Sequence, residues 1–124
     1  MVTRNVALNE LNFRGISINA ETGDEVVAID VEAYDSGIIF INREESGTVT
    51  YTLPVVAEGK GKMWWFYGAY GVAIKITSGT ASTLVTPGAA TATSLTSAAA
   101  VGECAMVGGD GSFYYVFEIQ GSWS

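Results

Sequence analysis

Asp30 and Glu32 lie two residues apart in Val27-Ala28-Ile29-Asp30-Val31-Glu32. On an extended chain that spacing sets both carboxyls on one face. Two carboxyls about 5–9.5 Å apart across a sugar cleft, one with its pKa raised by burial, are the machinery of a glycosidase. No second feature of the sequence supports such a cleft. Val27, Ile29 and Val31 fill the alternate positions, which makes Asp30 and Glu32 the solvent face of a strand. Glu44 and Glu45 fall in a polar turn. Asp24, after Thr22-Gly23, and Asp110, inside Gly108-Gly109-Asp110-Gly111, lack the alternating oxygen ligands of a calcium loop. Gly59-Lys60-Gly61-Lys62 has the residue types of a phosphate loop, but neither its spacing nor its strand–loop–helix setting. The chain has no histidine and one cysteine, Cys104. That rules out a zinc site built from Cys and His, and any nucleophile activated by histidine. The residues assign no catalytic group, no metal ligand and no cofactor, and the expectation is a protein that is not an enzyme.

Binding character is concentrated in Met63-Trp64-Trp65-Phe66-Tyr67, with Tyr70 close behind. Sugar rings stack on such side chains, and protein interfaces are rich in them. Five large side chains in succession cannot share one face of a strand. Either both faces are covered, or one face is an aromatic surface for a partner. Packing in a core or between copies of the chain is the reading preferred over carbohydrate binding.

Composition bears on the same question. The 124 residues suffice for one domain with a modest core. Apolar residues make up 48%, and 15% are charged, against about 25% in an ordinary soluble domain. A chain this small has much surface for its volume, so part of the apolar content is expected to meet another copy. Net charge is −7 with six basic residues scattered along the chain, which argues against a nucleic-acid partner. Nine of the thirteen acidic residues fall within the first 45 positions, a solvated acidic face in the plain reading. A single cysteine forms no internal disulfide, and Cys104 has the setting of a small core residue. No apolar run approaches the ~20 residues that span a bilayer, and no signal region follows Met1, so synthesis in the cytoplasm without a membrane anchor is expected.

The elements that would position these residues read as strands. Residues 1–13 are mixed and form a candidate N-terminal arm, with Val6, Leu8, Leu11 and Phe13 needing a partner surface. Residues 14–124 then read as one β domain. Ile16 and Ile18 begin a β-like segment, and Glu21-Thr22-Gly23-Asp24 reads as a hairpin turn. Val27, Ile29, Val31 and Ala33 alternate with polar positions. Ile38 to Ile41 is a short apolar run after Asp35-Ser36-Gly37. Val49, Tyr51 and Leu53 alternate with Thr48, Thr50 and Thr52, and Pro54 stops the ladder. Val72, Ile74 and Ile76 make a further strand. Residues 77–100 are rich in Thr, Ser, Ala and Gly and read as short strands where backbones approach closely. A strand over 101–107 and a turn at 108–111 follow. Phe113, Tyr115, Phe117 and Ile119 then face one side, with Tyr114, Val116 and Glu118 opposite. Trp123 is expected to pack rather than fray. The whole predicts an all-β fold, a small sandwich or barrel-like module of about 8–9 short antiparallel strands.

Asp35-Ser36-Gly37, then Thr50-Tyr51-Thr52-Leu53-Pro54, then the closing aromatic strand Phe113 to Ile119 and Gly121-Ser122-Trp123 resemble, in order and spacing, a β module of tailed-bacteriophage virion proteins. The resemblance covers roughly residues 30–124. Lys60 and Lys62 charge the turn after Pro54 more than that module does, and residues 77–100 lack its acidic-glycine turn. The module serves in trimeric tail fibres and spikes, head fibres and small capsid decoration proteins. The resemblance therefore implies a homotrimer on the virion surface.

A chain beginning at Met1 and ending at residue 124, with no coiled-coil heptads or collagen-like repeat, fits the decoration, or cement, role within that group. Such a protein binds the major capsid protein at lattice junctions, where three contacts from one trimer add up to stable attachment. On this reading Val6, Leu8, Leu11 and Phe13 are the capsid-binding candidates. Trp64, Trp65, Phe66, Tyr67 and Trp123 are the oligomer-interface candidates. The alternative is a receptor- or carbohydrate-binding module of a tail fibre or spike.

Overall fold

The computed structural model describes residues 14–19 and 27–124. Runs of β-branched and aromatic residues broken by glycine and polar turns form eleven strands among those residues. In chain order they are β1 (Gly15–Asn19), β2 (Val27–Asp30), β3 (Ile38–Asn42), β4 (Thr48–Thr52), β5 (Met63–Gly68), β6 (Ala73–Thr77), β7 (Leu84–Thr86), β8 (Ala89–Ala92), β9 (Ser94–Thr96), β10 (Cys104–Gly109) and β11 (Tyr114–Gln120). Short 3-10 turns span Ala33–Asp35 and Val56–Gly59. The all-β expectation holds.

The strands form a seven-stranded sheet, β1-β3-β5-β10-β11-β7-β8, and a four-stranded sheet, β2-β4-β6-β9. The first six strands alternate between the two sheets, so the chain winds as three successive coils. Each coil lays one strand in the large sheet and the next in the small one. Strands of successive coils are parallel, with register partners 22 to 26 residues apart: β1 on β3, β3 on β5, β2 on β4 and β4 on β6. Antiparallel pairing enters only after β6, and one later pair, β7 on β11, is again parallel. The β10–β11 hairpin adds to β5, β7 and β8 extend that sheet, and β9 closes the small sheet against β6.

This corrects the expectation of antiparallel strands throughout. A tight turn joins neighbours within one sheet, whereas a strand that crosses to the opposite sheet returns to the first only one coil later, and then in parallel. The reading of Glu21 to Asp24 as a hairpin turn lies outside the described residues, and the strands flanking it, β1 and β2, belong to different sheets. The small-residue stretch 77–100 does hold short strands, β7 to β9.

One core lies between the sheets. From the large sheet come Phe40, Trp64, Phe66, Ala105, Val107, Tyr114, Val116 and Leu84; from the small sheet come Val49, Tyr51, Ile74, Ile76 and Leu95. Coil upon coil, like meets like. Phe40 stacks on Phe66 with centroids 5.5 Å apart, and Tyr51 tilts against both rings. Corners are stitched in the same rhythm: Arg43 N–H donates to Asn19 O and Ala69 N–H to Asn42 O. Asn19 Nδ2 reaches Asn42 Oδ1 at 3.4 Å, an amide step between the first two coils.

The link from β4 to β5 shows how tightly the layers close. Gly59 is buried beneath the Tyr114 ring and beside Gly109, and a Cβ there would collide with that ring. Tyr114 in turn donates its hydroxyl to Pro54 O at 2.8 Å.

Candidate interaction surface

The groups that could do chemistry are occupied by local structure. Asp30 is on the outer face of the small sheet, in register with Thr52. Glu32 precedes the first 3-10 turn, and its backbone N–H donates to Asp35 Oδ2 at 2.9 Å. Asp110 is a turn staple. Its carboxylate accepts from Ser112 N, Phe113 N and the Tyr115 hydroxyl at 2.8, 2.7 and 2.6 Å. The Tyr115 hydrogen bond, ahead of the two backbone ones, holds the Asp110 carboxyl below its ordinary value, and the same bond pushes the Tyr115 phenol up.

Gly59 to Lys62 is a tight link rather than a cradle, with Gly61 N–H donating to Gly109 O and Lys62 N–H to Gly59 O. Glu44 and Glu103 are buried carboxylates, the latter accepting from Ala100 N at 2.8 Å. Among the described residues no three His, Cys, Asp or Glu side chains converge as a metal site. Cys104 is buried, and burial raises its thiol pKa, which suppresses the reactive thiolate.

Aromatic residues in β5 split by parity. Trp64 and Phe66 point inward and have no exposed surface. This corrects their assignment as oligomer-interface residues, because a side chain wholly enclosed by its own fold has nothing to offer a neighbour. Trp65 and Tyr67 point outward; Trp65 is half-buried and Tyr67 exposed. Trp123 is half-buried against the core, bridges Ser97, and donates its indole N–H to Gln120 O at 3.1 Å. It packs, as expected of a terminal tryptophan, and chiefly on its own chain. Val6, Leu8, Leu11 and Phe13 lie outside the described residues.

Register then exposes what the sequence reading left unassembled. Ile16 in β1 pairs with Ile39 in β3, Ile39 with Trp65 in β5, Trp65 with Met106 in β10, and Met106 with Phe117 in β11. Directly paired residues point to the same face, so these five side chains form one row across the outer face of the large sheet. A second row runs Ile18, Ile41, Tyr67 and Cys104. A third runs Met63, Gly108, Tyr115 and Val85. No charged side chain stands in these rows. Ile16, Ile18, Phe117 and Ile119 are each about half exposed, at 59, 51, 49 and 50%.

The outer face of the small sheet is the opposite. Thr48, Thr50 and Thr52 on β4 and Thr77 on β6 share it with Ser94 and Thr96 on β9, alongside Asp30 and Lys75.

Period-two alternation in 113–119 held the signal for the Phe117 part of this face. It did not say which side was inside, because both sides of that strand are apolar. Ile39, Ile41 and Met106 carried no signal without the register. No known protein family, curated protein or solved structure matches this chain.

Proposed function

We propose that this chain is a structural virion protein, a bacteriophage capsid decoration (cement) protein that binds the major capsid protein as a homotrimer. One observation carries the reading: among the described residues, an all-β fold presents apolar rows without charge on the outer face of one sheet and a hydroxyl-rich outer face on the other. A surface of that kind favours cover by protein over catalysis or phosphate binding. The resemblance of residues 30–124 to a phage virion module names the setting. Asp35-Ser36-Gly37 opens β3 in the second coil, and Thr50 to Pro54 ends β4 and leads into the 3-10 turn.

Solution mass by light scattering, followed by binding to expanded capsids of a tailed phage, tests the reading. A mass of three chains and saturable capsid binding are the expected outcomes. A monomer that leaves capsids bare would overturn it.

A receptor- or carbohydrate-binding tip of a fibre is the second reading, favoured by the exposed rings of Tyr67, Tyr70 and Tyr115. A glycan array separates the two, since a cement protein gives no glycan signal.

A further inference from the structure

Coils in register make a position in one readable from the next. In the small sheet Val27, Val49 and Ile74 share one level, Ile29, Tyr51 and Ile76 the next inward level, and Asp30, Thr52 and Thr77 the level after it. Each strand therefore runs apolar, variable, apolar, polar. Val6-Ala7-Leu8-Asn9 has the same pattern. It matches Val27-Ala28-Ile29-Asp30 position for position, with leucine for isoleucine and asparagine for aspartate. Val6 precedes Val27 by 21 residues, and Val27 precedes Val49 by 22. Residues 6–9 lie outside the described residues. We propose that they add a further parallel strand to the open edge of β2, with Val6 beside Val27 and Leu8 beside Ile29, as the cap of the coil. The proposal stands apart from the function proposed above, and it moves Val6 and Leu8 from the capsid-binding candidates into the fold.

The edge of β2 has what such a strand needs. The small sheet runs β2-β4-β6-β9, so among the described residues β2 has a neighbour only at β4. Val31 N–H donates to Thr52 O, and the alternation of a parallel ladder then turns the N–H and C=O of Ala28 and Asp30 to the open side. Open groups of that kind template pairing with an arriving strand. Burial marks the same gap. Val49, Tyr51, Ile74 and Ile76 are at most 1% exposed, whereas Val27 and Ile29, one coil further out, are only partly buried. In the large sheet the inward position of β1 is Ser17, which pairs with the buried Phe40 and is itself exposed. A serine there leaves room over the end of the core for two branched side chains arriving from the small sheet.

The segment is also within reach. Residues 10–14 would carry the chain from residue 9 to β1 in the large sheet. Five extended residues span roughly 17 Å, and packed sheets stand ~10 Å apart. The corresponding links lengthen along the chain, with seven residues from β2 to β3 and ten from β4 to β5. A strand that crosses to the large sheet as β2 and β4 do runs parallel to them. A second copy carries the same four residues, but this chain's own are tethered five residues from β1, and effective concentration favours them. The other edge of the small sheet is closed by β9, antiparallel on β6. A strand on β2 would complete the two caps that keep a coil from stacking on its neighbours.

Amide exchange and a cysteine pair test the cap in the full chain. In the wild type the Ala28 and Asp30 amides should exchange at least tenfold more slowly than unstructured amides. Leu8→Asp should abolish that protection and leave the β10–β11 hairpin protected. In a Cys104→Ala background, Ala7→Cys with Ala28→Cys should oxidise to a disulfide within one chain, since paired strands lie ~4.8 Å apart. Ala7→Cys with Thr50→Cys, one strand further, should stay reduced.

Free exchange at Ala28 and Asp30 in the wild type overturns the proposal. So does protection that Leu8→Asp leaves intact. An Ala7–Ala28 cysteine pair that stays reduced, or that joins two chains, overturns it as well. If Leu8→Asp fails to fold, wild-type exchange and the cysteine pair decide.

Discussion

The Tyr114 hydroxyl donates to the Pro54 carbonyl at 2.8 Å, joining residues 60 positions apart. Tyr114 lies in β11 of the large sheet, and Pro54 follows β4 of the small one, so this bond pins the late hairpin to the second coil. Burial, assisted by the charge of Glu58, pushes the Tyr114 phenol up to about 12 from 10.0. Its pKa is raised in the fold, so its contribution is fully present below pH 10 and is lost as pH rises from 10 towards 12. Tyr51, raised by burial, acts in the same direction. The expected outcome is an alkaline unfolding limb that shrinks in Tyr114→Phe, with about 1 kcal/mol lost at neutral pH from the missing hydrogen bond. Denaturant melts at pH 7 and pH 11 measure both.

Tyr51 invites the opposite substitution. Its hydroxyl is buried with no hydrogen-bond partner among the described residues, while its ring packs on Phe40 and Phe66. Tyr51→Phe keeps the ring and removes the stranded hydroxyl, so stability should rise by about 1 kcal/mol. A thermal melt that falls by several degrees would contradict this.

Gly59 and Tyr114 share one space. A methyl group at residue 59 meets the Tyr114 ring, which is fully buried and cannot swing aside. Gly59→Ala should cost about 1–3 kcal/mol by overpacking. The double variant Gly59→Ala with Tyr114→Leu should recover part of that loss, which a double-mutant cycle reads directly.

Parity in β5 and β11 separates fold from surface. Trp64→Ala empties the centre of the core and should cost about 3–5 kcal/mol. Phe117→Ser, at a half-exposed position on the outer face, should change the stability of the single chain by no more than about 0.5 kcal/mol. Equal losses from the two, measured under dilute conditions, would contradict the inward and outward assignment.

Asp110 gives a local titration. Hydrogen bonds from Tyr115 and from the backbone of Phe113 and Ser112 hold its carboxyl below 3.8. That stabilisation is present above pH 3.8 and is lost as pH falls through the lowered value. Carboxyl NMR titration should show Tyr115→Phe moving Asp110 back towards the ordinary range. An unmoved Asp110 would mean that the Tyr115 hydroxyl is not its main partner in solution.

How much of this was legible in the sequence can be judged strand by strand. Val49, Tyr51 and Leu53 declared their buried face because threonines alternate with them, and all three are buried. Parity in β11 was equally plain, yet its inner side was not, since Tyr114 and Val116 are no more apolar than Tyr115 and Phe117. The contiguous aromatics of β5 were read as one cluster, whereas the strand pleat divides them. Turn chemistry misled most. Polar glycine turns suggest hairpins, and a turn that carries the chain to the opposite sheet looks the same in sequence. The signal that distinguishes them is recurrence. Val27, Val49 and Ile74 occupy one register position, as do Ile29, Tyr51 and Ile76. Repeats of 20 to 30 residues are the mark of coiled β chains, but with apolar identity as their only common property these escape notice without a ladder to align them.

Three coils wound in series also act as a spool. Neighbour contacts dominate such an architecture, so its stability is approximately a sum of coil-on-coil terms. Among the described residues the first coil has a neighbour on one side only, while the third is gripped by the β10–β11 hairpin in the large sheet and by β9 in the small one. A steady pull on the amino-terminal end would therefore pay out chain from the first coil before the third. The force–extension record would step in lengths of one coil, and the carboxy-terminal half would remain as the hub.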